Sequence, residues 1–128
     1  MVNVNISSPV NPSESEELVS DAIMRIFPDA SLSRTSQGFE GSASGIENFS
    51  LFVRRQRILE AARSVIFGNM EEDTVVFWLN KQAASAGKVS FCPKDNVLGA
   101  IEIRLEGDML SDYIDTMLPR TVDGQEVI

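Results

Sequence analysis

The sequence predicts an α+β fold, a two-layer sandwich in which helices pack on one face of a mixed, largely antiparallel sheet of four to five strands. In residues 2–8 and again in residues 100–106, apolar side chains alternate with polar ones, which is typical of a strand with one buried face. Between these two strands, several segments instead repeat their apolar residues at helical spacing. Strands that are scattered among helices and have one apolar face favour two layers around a single core.

The first helix is predicted over residues 13–27, directly after the first strand. Asn11 is a favoured N-cap residue, Pro12 suits the first helical position, and Glu14 completes a capping box. Residues 29–44 are rich in serine and glycine, so they predict a strand or two strands joined by a turn.

A second helix is predicted over residues 46–67. Ser44 and Glu47 form another capping box at its start. Gly68 is placed to end this helix at the C′ position, where glycine is favoured.

The second helix concentrates positive charge in a chain whose net charge is −8. Four of the 11 basic residues are arginines of this segment: Arg54, Arg55, Arg57 and Arg63. A helical wheel places Leu59, Ala62 and Ile66 together on a buried side. Arg57 lies nearly opposite and is expected to be exposed. Arg55 falls within the apolar stripe, so either the helix breaks near this point or the side chain is partly buried against a carboxylate.

The strongest strand signal in the chain is Thr74–Leu79, which is β-branched and aromatic throughout. The elements predicted after it are a short helix over residues 80–87, strands over 88–91 and 100–106, and a last helix over 109–118. Asp108 is expected to cap the last helix. Asp123 and Gly124 predict a turn in the tail.

Both faces of the strand Thr74–Leu79 are apolar, because Val76 and Trp78 point away from the other apolar residues of the strand. This pattern predicts a central strand that is covered on both faces. A helix of the same chain, a second subunit or a stacked base could cover Trp78. Val76 and Trp78 are therefore the candidate interface residues.

The composition restricts the classes of function. A chain of 128 residues is expected to form a single domain over residues 1–128. The absence of histidine removes the commonest general base, and a single cysteine excludes an intrachain disulfide or a cluster of thiolate metal ligands. We therefore expect no enzyme activity, no metal and no small-molecule cofactor. Without a secretory signal or a membrane-spanning apolar run, we expect a cytoplasmic protein.

Four stretches of the chain together resemble an archaeal family of small uncharacterised proteins. They are FVRRQRILEAAR, VFWLNKQAASAGKVSF, LGAIEIRL and LPRTVDG, in this order along the sequence. The resemblance implies a fold similar to that of the large-subunit ribosomal protein that contacts 5S RNA. A related archaeal family is suspected of RNA binding through its association with the exosome. The resemblance supplies no catalytic residue.

Five residues are candidates for binding RNA or phosphate: Arg54, Arg57, Lys81, Gln82 and Lys88. If a short helix begins at Asn80, its free N–H groups beside Lys81 would attract an anion. The alternatives are that Asn80 only caps the turn and that the arginines pair with acids or lie along the apolar stripe. We expect Arg54 and Arg57 to converge in space with Lys81 as one basic patch.

Two functions follow as hypotheses. The first is a module that binds structured RNA through the basic residues, although 19 acidic residues against 11 basic ones oppose phosphate binding overall. The second is a protein-interaction or dimerisation module that uses the Trp78 face, with a homodimer as one form. An exposed apolar patch beside Trp78 favours the second hypothesis, whereas a single basic face favours the first.

Overall fold

The computed structural model describes residues 2–96, 99–122 and 125–126. Five strands form one sheet: β1 (Asn3–Pro9), β2 (Ser31–Arg34), β3 (Gly38–Ala43), β4 (Thr74–Leu79) and β5 (Ile101–Glu106). Their order across the sheet is β2-β3-β1-β5-β4, and every neighbouring pair is antiparallel. The predicted α+β class with one largely antiparallel sheet is confirmed, and the first strand and residues 101–106 lie in that sheet.

The described residues also form five helices and a small hairpin. The helices are α1 (Glu16–Ile26), α2 (Glu47–Arg55), α3 (Leu59–Asn69), α4 (Lys81–Ser85) and α5 (Leu110–Met117). The hairpin consists of β6 (Thr121–Val122) and β7 (Gln125–Glu126), which pair antiparallel. The turn predicted at Asp123 and Gly124 lies outside the described residues.

The helices and one face of the sheet enclose the core. The sheet contributes to it alternate residues of its three best buried strands: Val4, Ile6, Val75, Phe77, Leu79, Ile101, Ile103 and Leu105. Phe49 of α2 lies at the centre, with its ring centroid 5.6 Å from that of Phe77 and 6.1 Å from that of Phe27. The period of two in β1 and β5 therefore predicted the buried face correctly.

The second predicted helix is broken into α2 and α3. The backbone of Arg57 is left-handed, with φ of 57°, and the Ile58 N–H donates to the Val53 carbonyl at 3.1 Å, as in a Schellman motif. The Gln56 side chain holds the break in place, because its Nε2 donates to the Val89 carbonyl (2.9 Å) and its Oε1 accepts from the Val89 N–H (2.7 Å). Of the two alternatives for Arg55, the break is the one observed, and Arg55 is exposed.

The predicted cap of α1 is wrong by one turn. The helix begins at Glu16, and the hydroxyl of Ser15, not the side chain of Asn11, accepts from the Leu18 N–H. Half of the expected capping box still forms, since Glu14 accepts from the Asn11 N–H at 3.0 Å. The Glu14 carboxylate also binds Lys81 of α4, which is a contact between two elements and not part of the cap of α1.

Three other predicted helix ends are also wrong. Ser44 does not cap α2, because its hydroxyl and N–H both donate to the Asp29 carboxylate. Asp108 does not cap α5, which instead follows Met109 in a left-handed conformation without a side-chain cap. Gly68 lies inside α3, which ends at Asn69.

The strand β4 is an edge strand, so its predicted central position is wrong. β5 pairs along one side of it, whereas on the other side the structure has only an isolated bridge between Leu79 and Phe91. The predicted strand over residues 88–91 is accordingly reduced to this bridge. An edge position leaves Val76 and Trp78 half-buried, although Val75, Phe77 and Leu79 are buried as expected.

Candidate functional site

The sheet has a second face that points away from the core, which we call the open face. The strand register places on it Asn5, Ser7, Glu40, Ser42, Val76, Trp78, Glu102 and Arg104. None of these side chains is buried, whereas the residues between them on β1, β4 and β5 belong to the core. A helix of the same chain was one of the expected covers for Trp78. No helix of the described residues covers this face.

A short hydrogen-bond chain fixes the indole of Trp78 on the open face. Its Nε1 donates to Glu102 Oε1 at 3.2 Å, and the Ser7 hydroxyl donates to Glu102 Oε2 at 3.4 Å. The register explains these contacts, because Glu102 faces Trp78 on β4 and Ser7 on β1. Glu102 was not among the residues predicted from the sequence. The alternation in β5 put it on the polar side, but only the pairing of β5 with β4 puts it beside the tryptophan.

Clefts lie on both sides of the tryptophan. One cleft, of about 480 Å³, is bounded by Trp78 and Glu102, by Glu40 of β3, by residues 35–38 and by Lys94. The other, of about 900 Å³, runs from Trp78 past Val76 and Arg104 to residues 68–72. The two predicted interface residues thus lie beside each other, within open and accessible space.

One arginine of α2, Arg54, is engaged within the protein. Arg54 donates to the Met117 carbonyl at 3.3 Å and pairs with Glu126 at 3.5 Å, and its Nε lacks a hydrogen-bond partner among the described residues. Arg54 and Arg57 line a cleft of about 840 Å³ together with Glu60 and Glu126. Hydrogen bonds from the Thr121 N–H and hydroxyl lower the pKa of Glu60, so the cleft contains two carboxylates beside its two guanidinium groups.

Lys81 is turned to the interior. Its side chain is only 5% exposed, and its ammonium donates to the Pro9 carbonyl (2.6 Å) and to Glu14 Oε1 (2.9 Å). Burial opposes the ionisation of Glu14, but hydrogen bonds from Lys81 and from the Asn11 N–H, with the charge of Lys81, outweigh it and lower the Glu14 pKa. Lys81 thus binds Pro9 and Glu14, whereas Arg54 binds Met117 and Glu126. The expected convergence of Arg54 and Arg57 with Lys81 stays a prediction.

The remaining basic candidates are on the surface. Asn80 caps α4 by accepting from the Ala83 N–H, which is the simpler of the two alternatives for this segment, and Gln82 is exposed beside it. Lys88 is exposed and precedes Val89, the residue to which Gln56 binds. The Gln56 contact therefore brings Lys88 to the same part of the surface as Arg55 and Arg57. Binding of RNA or phosphate by any of these residues stays a prediction.

Arg63, the fourth arginine of the stretch, is buried and structural. Its Nη1 donates to the Leu118 carbonyl (2.7 Å) and pairs with Asp115 (2.8 Å), and its guanidinium lies 4.9 Å from the centroid of the Phe67 ring. It joins α3 to the end of α5. Arg63 directly follows the buried Ala62 and so lies at the edge of the apolar stripe, where a long side chain can reach such partners.

Reactive groups are few in the part of the chain that the structure describes. No three carboxylate or thiol side chains there are grouped as metal ligands. Burial raises the pKa of the Cys92 thiol, which keeps it protonated and weakly nucleophilic. Of the described helices, none has the length and hydropathy needed to cross a membrane.

These features define a class of protein: a small α+β protein with a five-stranded antiparallel sheet, one face of which is covered by helices and the other left open around a fixed tryptophan. The chain belongs to UPF0201, a family of uncharacterised archaeal proteins. It is 32% identical to the UPF0201 protein of Sulfurisphaera tokodaii, over 97% of this chain and 92% of that protein. The UPF0201 protein of Methanocaldococcus jannaschii is 34% identical, over 96% of this chain and 76% of that protein.

A longer relative and two crystal structures complete the comparison. The chain is 36% identical to a UPF0200/UPF0201 protein of Archaeoglobus fulgidus but spans only 40% of its length. The crystal structure of a UPF0201 protein from Methanococcus jannaschii matches 98% of this chain and 99% of that chain, with a TM-score of 0.89 and 34% identity. A DUF54 protein of Archaeoglobus fulgidus, with a TM-score of 0.68 and 19% identity, shares the fold. No family model matches the sequence.

The predicted membership of an archaeal family is thus confirmed. None of these matches tests the expected likeness to the ribosomal protein that contacts 5S RNA, which stays a prediction. The names of the relatives assign no ligand and no reaction.

Proposed function

We propose that this chain is a non-catalytic protein-interaction module that binds a protein partner across the open face of its sheet. The observation that carries this proposal is the pair Val76 and Trp78, which lie half-buried on that face with clefts on both sides. A large aromatic residue on an otherwise polar surface is typical of the centre of an interface, where tryptophan contributes more binding energy than most residues.

The hydrogen bond from Trp78 to Glu102 supports the same proposal. It holds the indole in one orientation before a partner arrives, so that binding immobilises fewer rotatable bonds. Ser7 restrains the carboxylate in turn. Side chains that are ordered in advance lose less conformational entropy on association than mobile ones.

The composition of the site favours binding over catalysis. A reaction without histidine would depend on carboxylate, lysine or thiol chemistry. Lys81 forms a salt bridge in the interior, and burial keeps Cys92 protonated. We therefore infer that the module does not act as an enzyme.

A matched pair of lysine substitutions tests the interaction face. Val76→Lys puts a charge on the open face, whereas Leu18→Lys puts one on α1 in the opposite layer, where Leu18 is 64% exposed. We expect immobilised wild type and Leu18→Lys to retain the same protein from an extract of an archaeon that has this family, and Val76→Lys to lose it. Light scattering shows whether the retained protein is a second copy. Equal retention by Val76→Lys and the other two would contradict the proposal, provided that all three melt at similar temperatures.

A second candidate function, RNA binding, is favoured by one specific contact. The bonds between Gln56 and Val89 bring Lys88 to the part of the surface that carries Arg55 and Arg57. All three cationic side chains are exposed, and the described residues provide no salt bridge to any of them. This set differs from the predicted one: it adds Arg55 and leaves out Arg54, Lys81 and Gln82, of which Arg54 and Lys81 pair with carboxylates.

Salt dependence tests this second candidate. If the three residues contact phosphates, the affinity for a structured RNA with single-stranded loops should fall with salt by a log–log slope of about −2, at about −0.7 per contact. The triple variant Arg55→Ala, Arg57→Ala, Lys88→Ala should bind more weakly with a slope near zero. Arg25→Ala on α1 is the control, since Arg25 is exposed and distant in sequence. Absence of binding by the wild type at low salt would remove this candidate.

A further inference from the structure

We infer that the partner of the open face is a basic segment of another protein, with an arginine or lysine side chain seated against Trp78 and Glu102, in the cleft that Glu40 also lines. This inference rests on the proposed interaction function and specifies its partner. The indole and both carboxylates line the same cleft of about 480 Å³. An electron-rich ring beside a carboxylate is a combination that binds a cationic side chain, through cation–π attraction and charge-assisted hydrogen bonds.

The Glu102 carboxylate is prepared for such a contact. Each of its oxygens accepts one hydrogen bond, from Trp78 and from Ser7, which leaves further lone pairs on both oxygens for a guanidinium or ammonium group. The carboxylate has no cationic partner among the described residues. The site therefore has a fixed negative charge beside an aromatic ring, and this charge is not neutralised within the described part of the chain.

The charge around both clefts supports a basic partner. Four glutamates and two basic residues line the two clefts beside Trp78: Glu40, Glu71, Glu72, Glu102, Lys94 and Arg104. Arg104 is itself paired with Glu106, at 3.5 Å. The net charge of −8 adds a long-range field that accelerates the approach of cationic segments.

The same charges disfavour two other occupants. A second copy related by two-fold symmetry would place the acidic face of one protomer against that of the other, and like charges in contact are unfavourable. A nucleic acid would place phosphates beside the four glutamates. A basic protein segment has neither penalty, so it is the occupant to which charge complementarity points.

Tryptophan fluorescence tests the inference directly, because Trp78 is the only tryptophan of the chain. The probe is an eight-residue peptide that alternates arginine and threonine, and the control peptide alternates glutamate and threonine. We expect a saturable change in Trp78 emission with the basic peptide only, weakened by added salt. Glu102→Gln keeps the acceptor for the indole but removes the charge, and should lower the affinity about two- to fivefold, as for one partly exposed ion pair.

Two further variants separate a specific site from diffuse attraction. Glu17→Gln removes an exposed charge on α1 and should leave the affinity unchanged. Lys94→Ala removes a positive charge from the cleft and should raise the affinity by a similar factor, about two- to fivefold. The inference would be overturned if Glu17→Gln and Glu102→Gln changed the affinity equally. It would also be overturned if the basic peptide left the Trp78 emission unchanged, or if the acidic peptide bound as tightly as the basic one. If the basic peptide does not bind but Val76→Lys still abolishes partner retention, only the inference on partner chemistry is wrong. If the peptide does not bind and Val76→Lys retains the partner as the wild type does, the proposed function is wrong too.

Discussion

Replacing Glu14 with alanine is expected to lower the free energy of unfolding by about 2–4 kcal/mol, because it removes a carboxylate that pairs with a buried ammonium. Lys81 is 5% exposed, and Glu14 is the carboxylate that it contacts, at 2.9 Å. The Pro9 carbonyl, which stays bonded to the ammonium at 2.6 Å, keeps the loss below that of an isolated buried charge. Denaturant unfolding of the wild type and the variant measures the difference.

Two controls identify the cause of this loss. Glu17→Ala, at an exposed position of α1, should change the stability by less than about 0.5 kcal/mol. The double variant Glu14→Ala, Lys81→Met removes both charges and should recover much of the lost stability, since an apolar pair of similar shape can replace a buried ion pair. A double variant that is less stable than Glu14→Ala alone would contradict the assignment of the loss to the broken ion pair.

The Glu14–Lys81 pair also predicts a dependence on pH. The pKa of Glu14 is lowered in the folded protein from its ordinary value of 4.5. A carboxyl group with a lowered pKa contributes stability above its unfolded pKa and loses that contribution as the pH falls through its folded pKa. The stability difference between wild type and Glu14→Ala should therefore be full at neutral pH and shrink below about pH 4.5. A difference that stays constant down to pH 3 would show that the carboxylate is not the stabilising group.

The second large effect is expected for Leu59→Ala, which should lower the free energy of unfolding by about 2–5 kcal/mol by leaving a cavity in the core. Leu59 opens α3 and is 6% exposed, and Ala62 and Ile66 follow it on the same buried side of the helix. The helical wheel predicted this burial and the exposure of Arg57, and both are confirmed. The measurement is the midpoint of denaturant unfolding at constant slope.

Leu51→Ala is the matched control for Leu59→Ala. Leu51 lies on the preceding helix α2 and is 47% exposed, so its truncation removes little buried surface. We expect its unfolding midpoint to stay close to that of the wild type. Equal losses for the two variants would mean that the phase of the helical wheel in this segment is incorrect.

Alternation and helical periodicity were sufficient to predict most elements and their buried faces. They succeeded because burial on one side of a strand or helix is a local pattern that each segment repeats several times. Thr74–Leu79 is the instructive case: its own residues predicted a strand, but two apolar faces wrongly indicated a central position. Position in a sheet depends on which other segments supply hydrogen bonds, and residues 88–91 supply only one bridge to it.

The helix ends show the opposite outcome, because side chains that were assigned as local caps have tertiary partners. Glu14 binds Lys81, and Ser44 binds Asp29 fifteen residues away. A capping preference is worth about 1 kcal/mol, so a contact with a distant charged group readily outweighs it. For the same reason the break at Arg57 was only one of two alternatives until the contact of Gln56 with Val89 was known.

The sequence by itself determined the α+β class, the buried sides of β1, β5 and α3, the absence of histidine chemistry and the candidate interface pair Val76 and Trp78. Only the tertiary structure decided the surroundings of that pair. It put Glu102 beside Trp78, left the face open and buried the ammonium of Lys81. The physical reason is that periodicity records whether a side chain meets water or the core, whereas the partner of a polar group is set by strand order and by contacts between segments far apart in the chain.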